Sequence, residues 1–407
     1  MRSEKKERVQ ETGEERSALS PLTSHLSPGY DLTGLRQTEF PWTAETIYLN
    51  NASVGPLPER TRQVLEAFNR KRAAPFQLPD RELMAVMAES RRLAAELVGA
   101  GPEEIALTIN TGYGLSLAAR ALPLRAGDIV LASDREFPAN VYPWMLLEDI
   151  GVTLELAPTT SEGWPDEPYL LDRLTDPRVR VLAVSLVQFS NGYTVDLARL
   201  SKATRASGAY LVVDAIQGVG HIPVDVRKTP VDVLACGAQK WLLSPWGSGF
   251  VYVRRELIRD LRPAITGWMA FEGTDDFTRL TQYNDTLRGD ARRFELITLP
   301  YQDFAGMNAS LGLLLTLGIA RIREHLRALH APVLAWAARS GAGVVSPLGE
   351  RGSGILCVAP PNLGEAFRAL KTRHIVSSLR EGAIRLSPHA YNTVEEMERV
   401  VEVLEDS

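Results

Sequence analysis

The chain has 407 residues, 45% hydrophobic and 23% charged, and its 45 basic and 50 acidic side chains leave a formal charge of −5. That balance gives no electrostatic footprint for nucleic acid or an anionic membrane surface. Two cysteines, Cys236 and Cys357, rule out a disulfide scaffold and any multi-cysteine metal site. The longest apolar run, Leu311 to Ala320, is too short to span a bilayer, and the N-terminus lacks the apolar core of a signal peptide. A soluble cytoplasmic protein is expected, with length for two or three domains.

Residues 1–16 hold ten charged side chains and almost nothing apolar. Such a segment cannot bury enough surface to offset its ordering entropy, so residues 1–30 read as a flexible tail. Helical spacing of apolar residues follows at Arg60–Lys71 and Arg81–Val98. Short β-rich runs then recur at 105–109, 128–132, 152–157, 179–187, 209–214, 231–235 and 249–253. Several are continuously apolar, as central strands covered on both faces require. Helical stretches at Gly114–Ala121 and Leu197–Ser207 intervene. Strand–helix alternation over residues 50–300 predicts an α/β domain with a mostly parallel sheet, its ligand site at the carboxyl ends of the strands. After Pro300 the pattern changes to a long helix over 305–338, interrupted at Ala331–Pro332. Strands near 354–358 and 384–387, with helices at 363–372 and 394–405, complete a smaller α+β domain formed by residues 31–49 and 301–407.

The strand ends carry the chemistry. Asp214, in Tyr210-Leu-Val-Val-Asp214-Ala-Ile-Gln217, closes a buried strand where an unpaired carboxylate is costly; a helix N-cap is the plainer reading. Lys240, in Cys236-Gly-Ala-Gln239-Lys240-Trp241, closes the next strand, and desolvation there favours a neutral, nucleophilic amine. A lone lysine more often snorkels to water, yet the pairing with Asp214 at one sheet edge suits pyridoxal phosphate. The turn Thr108-Ile-Asn-Thr111-Gly112-Tyr-Gly114 follows a strand and opens a helix, so its N–H groups can face a phosphate. It lacks the Walker spacing, and Gly218-Val-Gly220 is an isolated GxG. Phe137, in Asp134-Arg-Glu-Phe137-Pro-Ala-Asn140, offers an aromatic face to a flat cofactor. Arg385, in Ala-Ile-Arg385-Leu-Ser-Pro-His389-Ala-Tyr-Asn, suits bidentate capture of a carboxylate. The histidines show no ligand spacing, so no metal site is expected.

These clusters, in this order, resemble the class V aminotransferase group of fold-type I pyridoxal-phosphate enzymes, which includes cysteine desulfurases, selenocysteine lyases and isopenicillin N epimerase-like proteins. The resemblance runs from Ile47-Tyr-Leu-Asn-Asn-Ala to Glu405. It implies that Lys240 carries the cofactor as a Schiff base and shuttles the α-proton, and that Asp214 pairs with the pyridine nitrogen. It places Gln217 near the ring hydroxyl with Asn191 close by, and Thr111, Gly112 and Gln239 at the phosphate. Thr298, in Arg293-Phe-Glu-Leu-Ile-Thr298, resembles the residue that reaches a neighbouring subunit's phosphate, implying a homodimer with shared sites. Arg385 would bind the α-carboxylate of an amino-acid substrate.

Departures narrow the chemistry. Phe137 stands where desulfurase-like members carry a histidine, and phenyl cannot transfer protons. Gln239 replaces the usual histidine before the lysine. The loop from His374 to Gly382 contains no cysteine to take up sulfur. Transamination or epimerisation through Lys240 is therefore expected. The alternatives are a carbon–sulfur or carbon–selenium lyase without a protein persulfide and a non-catalytic binding protein of the same fold. Intact Lys240, Asp214 and Arg385 count against the last. Trp268, Met269 and Phe271 could line a substrate pocket, although interface packing is the preferred reading.

Overall fold

A computed structural model describes residues 29–407. Most of the expected tail lies outside the described residues, but Tyr30 is fixed: its hydroxyl donates to the Ala390 carbonyl at 2.8 Å.

The strands are β1 (Ile47–Tyr48), β2 (Ile105–Leu107), β3 (Ile129–Ser133), β4 (Thr153–Ala157), β5 (Val179–Ser185), β6 (Tyr210–Asp214) and β7 (Val233–Gly237). They continue with β8 (Gly249–Val253), β9 (Gly343–Val344), β10 (Leu356–Ala359), β11 (Ile375–Val376), β12 (Ser378–Arg380) and β13 (Ala383–Leu386). Seven of them form one sheet in the order β2-β8-β7-β6-β5-β3-β4, in which β8 alone runs against its neighbours. This is the mostly parallel α/β sheet that the alternation predicts.

Side chains alternate between the two faces of each strand. In β3, Val130 and Ala132 join the cluster that contains Leu115 and Ala118 of the helix Thr111–Ala121. Ile129 and Leu131 join the cluster built with Leu93 of the helix Asp80–Val98 and Leu311 of the helix Tyr301–Leu317. Both faces are covered, which is why these strands read as continuous apolar runs. Each fully buried Val or Leu contributes roughly 1.5–3 kcal/mol.

A second, antiparallel sheet has the order β12-β13-β10-β9, and β1 pairs in parallel with β11. A bridge between Asn50 and Ser387 joins the chain leaving β1 to the chain leaving β13. The segment after β1 thereby comes to lie beside Arg385.

The long helix after Pro300 breaks elsewhere than expected. Helices Tyr301–Leu317 and Ile319–Ser340 meet at Gly318 with a bend of 75°. Gly318 has φ +85°, a conformation glycine adopts without steric cost. Pro332 sits inside the second helix, where it removes one backbone donor; buried His330, Val333 and Trp336 around it hold the helix together. Strands β1, β9, β11 and β12 have two or three residues each, too few to show a period in the sequence.

One buried ion pair fastens the large sheet to its helices. Arg91 of the helix Asp80–Val98 meets Glu295, whose side chain is 3% exposed, at 2.6 Å. Glu295 also accepts from the Leu107 N–H at 3.0 Å. Removing Arg91 leaves a buried carboxylate without its cation. Arg91→Ala is expected to cost about 3–5 kcal/mol, read by urea unfolding; a loss below about 1 kcal/mol, the value of an exposed pair, would show that Glu295 does not depend on it.

Candidate active site

The parallel strands deliver their carboxyl ends to one edge, and the loops that follow converge there. Thr111 opens the helix after β2, Phe137 follows β3, Phe189 follows β5, Asp214 closes β6 and Lys240 follows β7. Register places Asp214 directly beside Ala235 of β7 and Ser185 of β5.

Asp214 is 2% exposed and its carboxylate accepts from the Ile216 N–H at 3.1 Å. Burial lifts its pKa to about 7, against that hydrogen bond. Burial lowers Lys240 to about 8, with Asp214 opposing and Arg385 assisting the shift. Within 4 Å the two make no ion pair, so each keeps an unmet electrostatic demand. The Lys240 ammonium lies 5.5 Å from the centre of the Phe137 ring. Phe137 in turn meets Phe189 edge-on at 5.3 Å.

The anion cradle is the N-terminus of the helix Thr111–Ala121. Its N-cap, Asn110, accepts from the Tyr113 N–H, and Thr111 Oγ1 accepts from the Gly237 N–H at 2.8 Å. A Cβ on Gly112 would meet nothing nearer than 3.4 Å, so the first turn is open. The side chains of Gln239 and Thr111 converge over Gly237.

Arg385, on β13, is 1% exposed. Its guanidinium donates to the Phe189 carbonyl at 2.7 Å, to Ser53 Oγ at 2.8 Å and to Ser378 Oγ at 3.3 Å. Among the described residues no carboxylate pairs with it. Burial lowers its pKa to about 10. A guanidinium has five N–H donors, so one remains on each terminal nitrogen, the pair that a carboxylate engages side by side.

Other expected residues play different parts. The Gln217 amide is committed within the protein: it donates to the Ala52 carbonyl at 2.9 Å and accepts from the Trp241 indole at 2.8 Å. Asn191 is not brought to the group: its amide donates to the Gly163 carbonyl and accepts from the Tyr193 N–H. A tight turn with Gly192 at φ +77° engages the Asn191 side-chain oxygen locally, while the side-chain nitrogen reaches a distant loop. Thr298 stands exposed in the segment before the helix Tyr301–Leu317. His389 lies beneath the lysine segment, its ring on the Trp241 carbonyl and Trp241 beside it. Cys236 and Cys357 are buried and burial raises both thiols, Cys357 to about 11.

Residues 47–338 match the family model described as Aminotransferase class-V. The chain belongs to the class V aminotransferase family, whose members are pyridoxal-phosphate enzymes. An uncharacterized aminotransferase of Bacillus subtilis is 31% identical over 77% of this chain and 81% of its own length. The isopenicillin N epimerase of Amycolatopsis lactamdurans is 28% identical over 88% of this chain and 94% of its own. The cysteine desulfurase of Klebsiella pneumoniae is 29% identical, covering 87% and 91%. In fold, an apo cysteine desulfurase from Thermococcus onnurineus superposes with a TM-score of 0.82 at 24% identity, covering 92% of this chain and 97% of that one.

The residues present fit the family's cofactor. A desolvated amine, a buried carboxyl lacking a cation and an open helix N-terminus match, respectively, an aldehyde, a pyridinium and a phosphate. Sequence reasoning missed Ser53, Ser378 and Glu136. The first two reach Arg385 only through the joining of β1, β12 and β13. Glu136 is buried beside the strand ends, accepting from the Ser185 N–H and hydroxyl and from the Gln188 amide at 2.7 Å. Burial raises its pKa, and its charge adds to the rise at Asp214. Its adjacency to Phe137 was the signal available.

The lysine's own position depends on a close approach. The Gly55 N–H donates to the Gln239 carbonyl at 2.8 Å, and a Cβ on Gly55 would stand 2.1 Å from the Lys240 carbonyl oxygen. Gly55→Ala is expected to displace the Lys240 backbone, cost about 1–3 kcal/mol as overpacking does, and weaken cofactor retention. A variant that keeps both its melting temperature and its cofactor after gel filtration would show that the backbone yields without moving Lys240.

Proposed function

We propose that this class V enzyme acts at the α-carbon of an amino acid, by transamination or epimerisation, with Lys240 as its proton-transfer group. One observation carries the reading: within the site only Lys240 both bears a labile proton and stands free of a hydrogen-bond partner among the described residues. Phe137 cannot transfer protons, Asp214 and Glu136 are held inside, and both thiols are buried with raised pKa values.

Lys240 would hold pyridoxal phosphate covalently, Asp214 its ring nitrogen, and Thr111, Gly112 and Gln239 its phosphate. When bound, that group supplies an electron sink for charge developing at the substrate α-carbon. The rest falls to the protein. Arg385, held by Phe189, Ser53 and Ser378, fixes the α-carboxylate and so orients the α-carbon. Phe137 presents its ring to one side of the site, 5.5 Å from the Lys240 amine. Lys240, lowered by burial, takes the proton as a neutral amine and can return it at another position. Sulfur transfer through a protein persulfide has no support, because neither thiol is positioned or ionisable there. A homodimer is part of this reading: Ile109, Tyr142, Leu296 and Trp268 are exposed on segments flanking the site, and Thr298 is exposed beside Leu296.

Lys240→Ala is expected to lose turnover of amino acids by roughly 10²–10⁴-fold or more and to lose the visible absorbance that borohydride abolishes in the wild type. Keto-acid formation or loss of optical activity across an amino-acid panel supports the proposal. Sulfide release from cysteine without either product would overturn it in favour of a lyase. The rate at which cofactor-free protein takes up pyridoxal phosphate should rise with pH and level off above about 8, since only the neutral Lys240 amine is nucleophilic. A rate independent of pH between 6 and 9 would show that another step governs capture.

A further inference from the structure

We propose that Arg380 is a second anion-binding residue of the substrate site and selects amino acids whose side chain carries a carboxylate. This deepens the proposed function and rests on Arg385 holding the α-carboxylate. The antiparallel register pairs Ser378 with Arg385 and Arg380 with Ala383. Ser378 Oγ accepts from Arg385 Nε, so these two side chains share one face of the sheet. Residues two apart on a strand also share a face, which puts Arg380 on the same side, diagonally across from Arg385. Diagonal neighbours on a sheet lie about 7–8 Å apart at the backbone, still within reach of long side chains, so both arginines can reach one short dicarboxylic molecule.

Among the described residues the charge of Arg380 has no counterion: no carboxylate pairs with it, and its one hydrogen bond goes to the neighbouring Leu379 carbonyl at 2.7 Å. Its field reaches inward, because it disfavours protonation of both Lys240 and Arg385. The charges acting on Lys240 include the two cations Arg385 and Arg380 beside the carboxyl of Asp214, which in the proposed function serves the cofactor's ring nitrogen. The α-carboxylate satisfies Arg385. A second cation on the same face then favours a second anion and disfavours a cationic or purely apolar side chain. Arg380 is exposed while Arg385 is buried, so the outer position falls to the part of the substrate that differs between amino acids.

The test compares the holoenzyme with Arg380→Gln and Arg380→Lys, using glutamate against glutamine and aspartate against asparagine, pairs that differ chiefly in charge. The wild type is expected to prefer the acidic member in kcat/KM. In Arg380→Gln that preference should fall about tenfold to a hundredfold, as loss of a charged hydrogen bond implies, mainly through KM; Arg380→Lys should restore part of it. Competition by glutarate but not butyrate, weakened in Arg380→Gln, supports the same assignment without turnover. Equal treatment of acidic and amide members by the wild type overturns the proposal and leaves the reaction at the α-carbon standing. So does a loss of cofactor affinity in Arg380→Gln with selectivity unchanged. If no amino acid is turned over and no dicarboxylate competes, both readings fall together.

Discussion

Asp214 and Lys240 are brought out of water at one sheet edge, yet neither neutralises the other. In an ordinary buried pair the two charges would offset their desolvation by contact. Here the carboxyl rises to about 7 and the amine falls to about 8, and both remain available. The surrounding architecture keeps that arrangement in place. Parallel pairing of β5, β6 and β7 sets the strand ends level, and helices on both faces supply the low dielectric that shifts both groups.

The second sheet contributes a different constraint. A guanidinium buried on β13 without a carboxylate would be unstable alone, and three neutral acceptors drawn from β12, from the segment after β1 and from the loop after β5 hold it. Those acceptors fix orientation without quenching charge. Underneath, the Trp241 indole donates to Gln217 and Gln217 donates to the Ala52 carbonyl, so hydrogen bonds tie together the loops that carry Lys240, Asp214 and Ser53. A site assembled this way is rigid where the substrate's constant part binds and open where the side chain varies.

Much of this was legible in the chain. The seven strands of the main sheet coincide with the β-rich runs; those buried on both faces are continuously apolar, whereas the edge strand β4 keeps Thr153 and Glu155. Lys240, Asp214, Thr111, Gly112, Phe137 and Arg385 were found because each follows or lies on such a strand, where polar groups need a reason. Asn191 and Gln217 show the limit. Both side chains turn to partners inside the protein, Asn191 to Gly163 and to Tyr193 of its own turn and Gln217 to Trp241 and Ala52, and no motif distinguishes a side chain that serves the fold from one that serves the ligand.

The sequence by itself determined the alternation of elements, the desolvated lysine and carboxyl at successive strand ends, and the family, since these rest on local periodicity and on residue chemistry. Tertiary structure decided which groups meet. It broke the long helix at Gly318 instead of Pro332, delivered Ser53 and Ser378 to Arg385 from more than 300 residues and from 7 residues away, and set Arg380 on the face of Arg385. The short strands β1, β9, β11 and β12 carry no period of their own, and pairing between distant segments is fixed by register and packing, which a linear pattern does not encode.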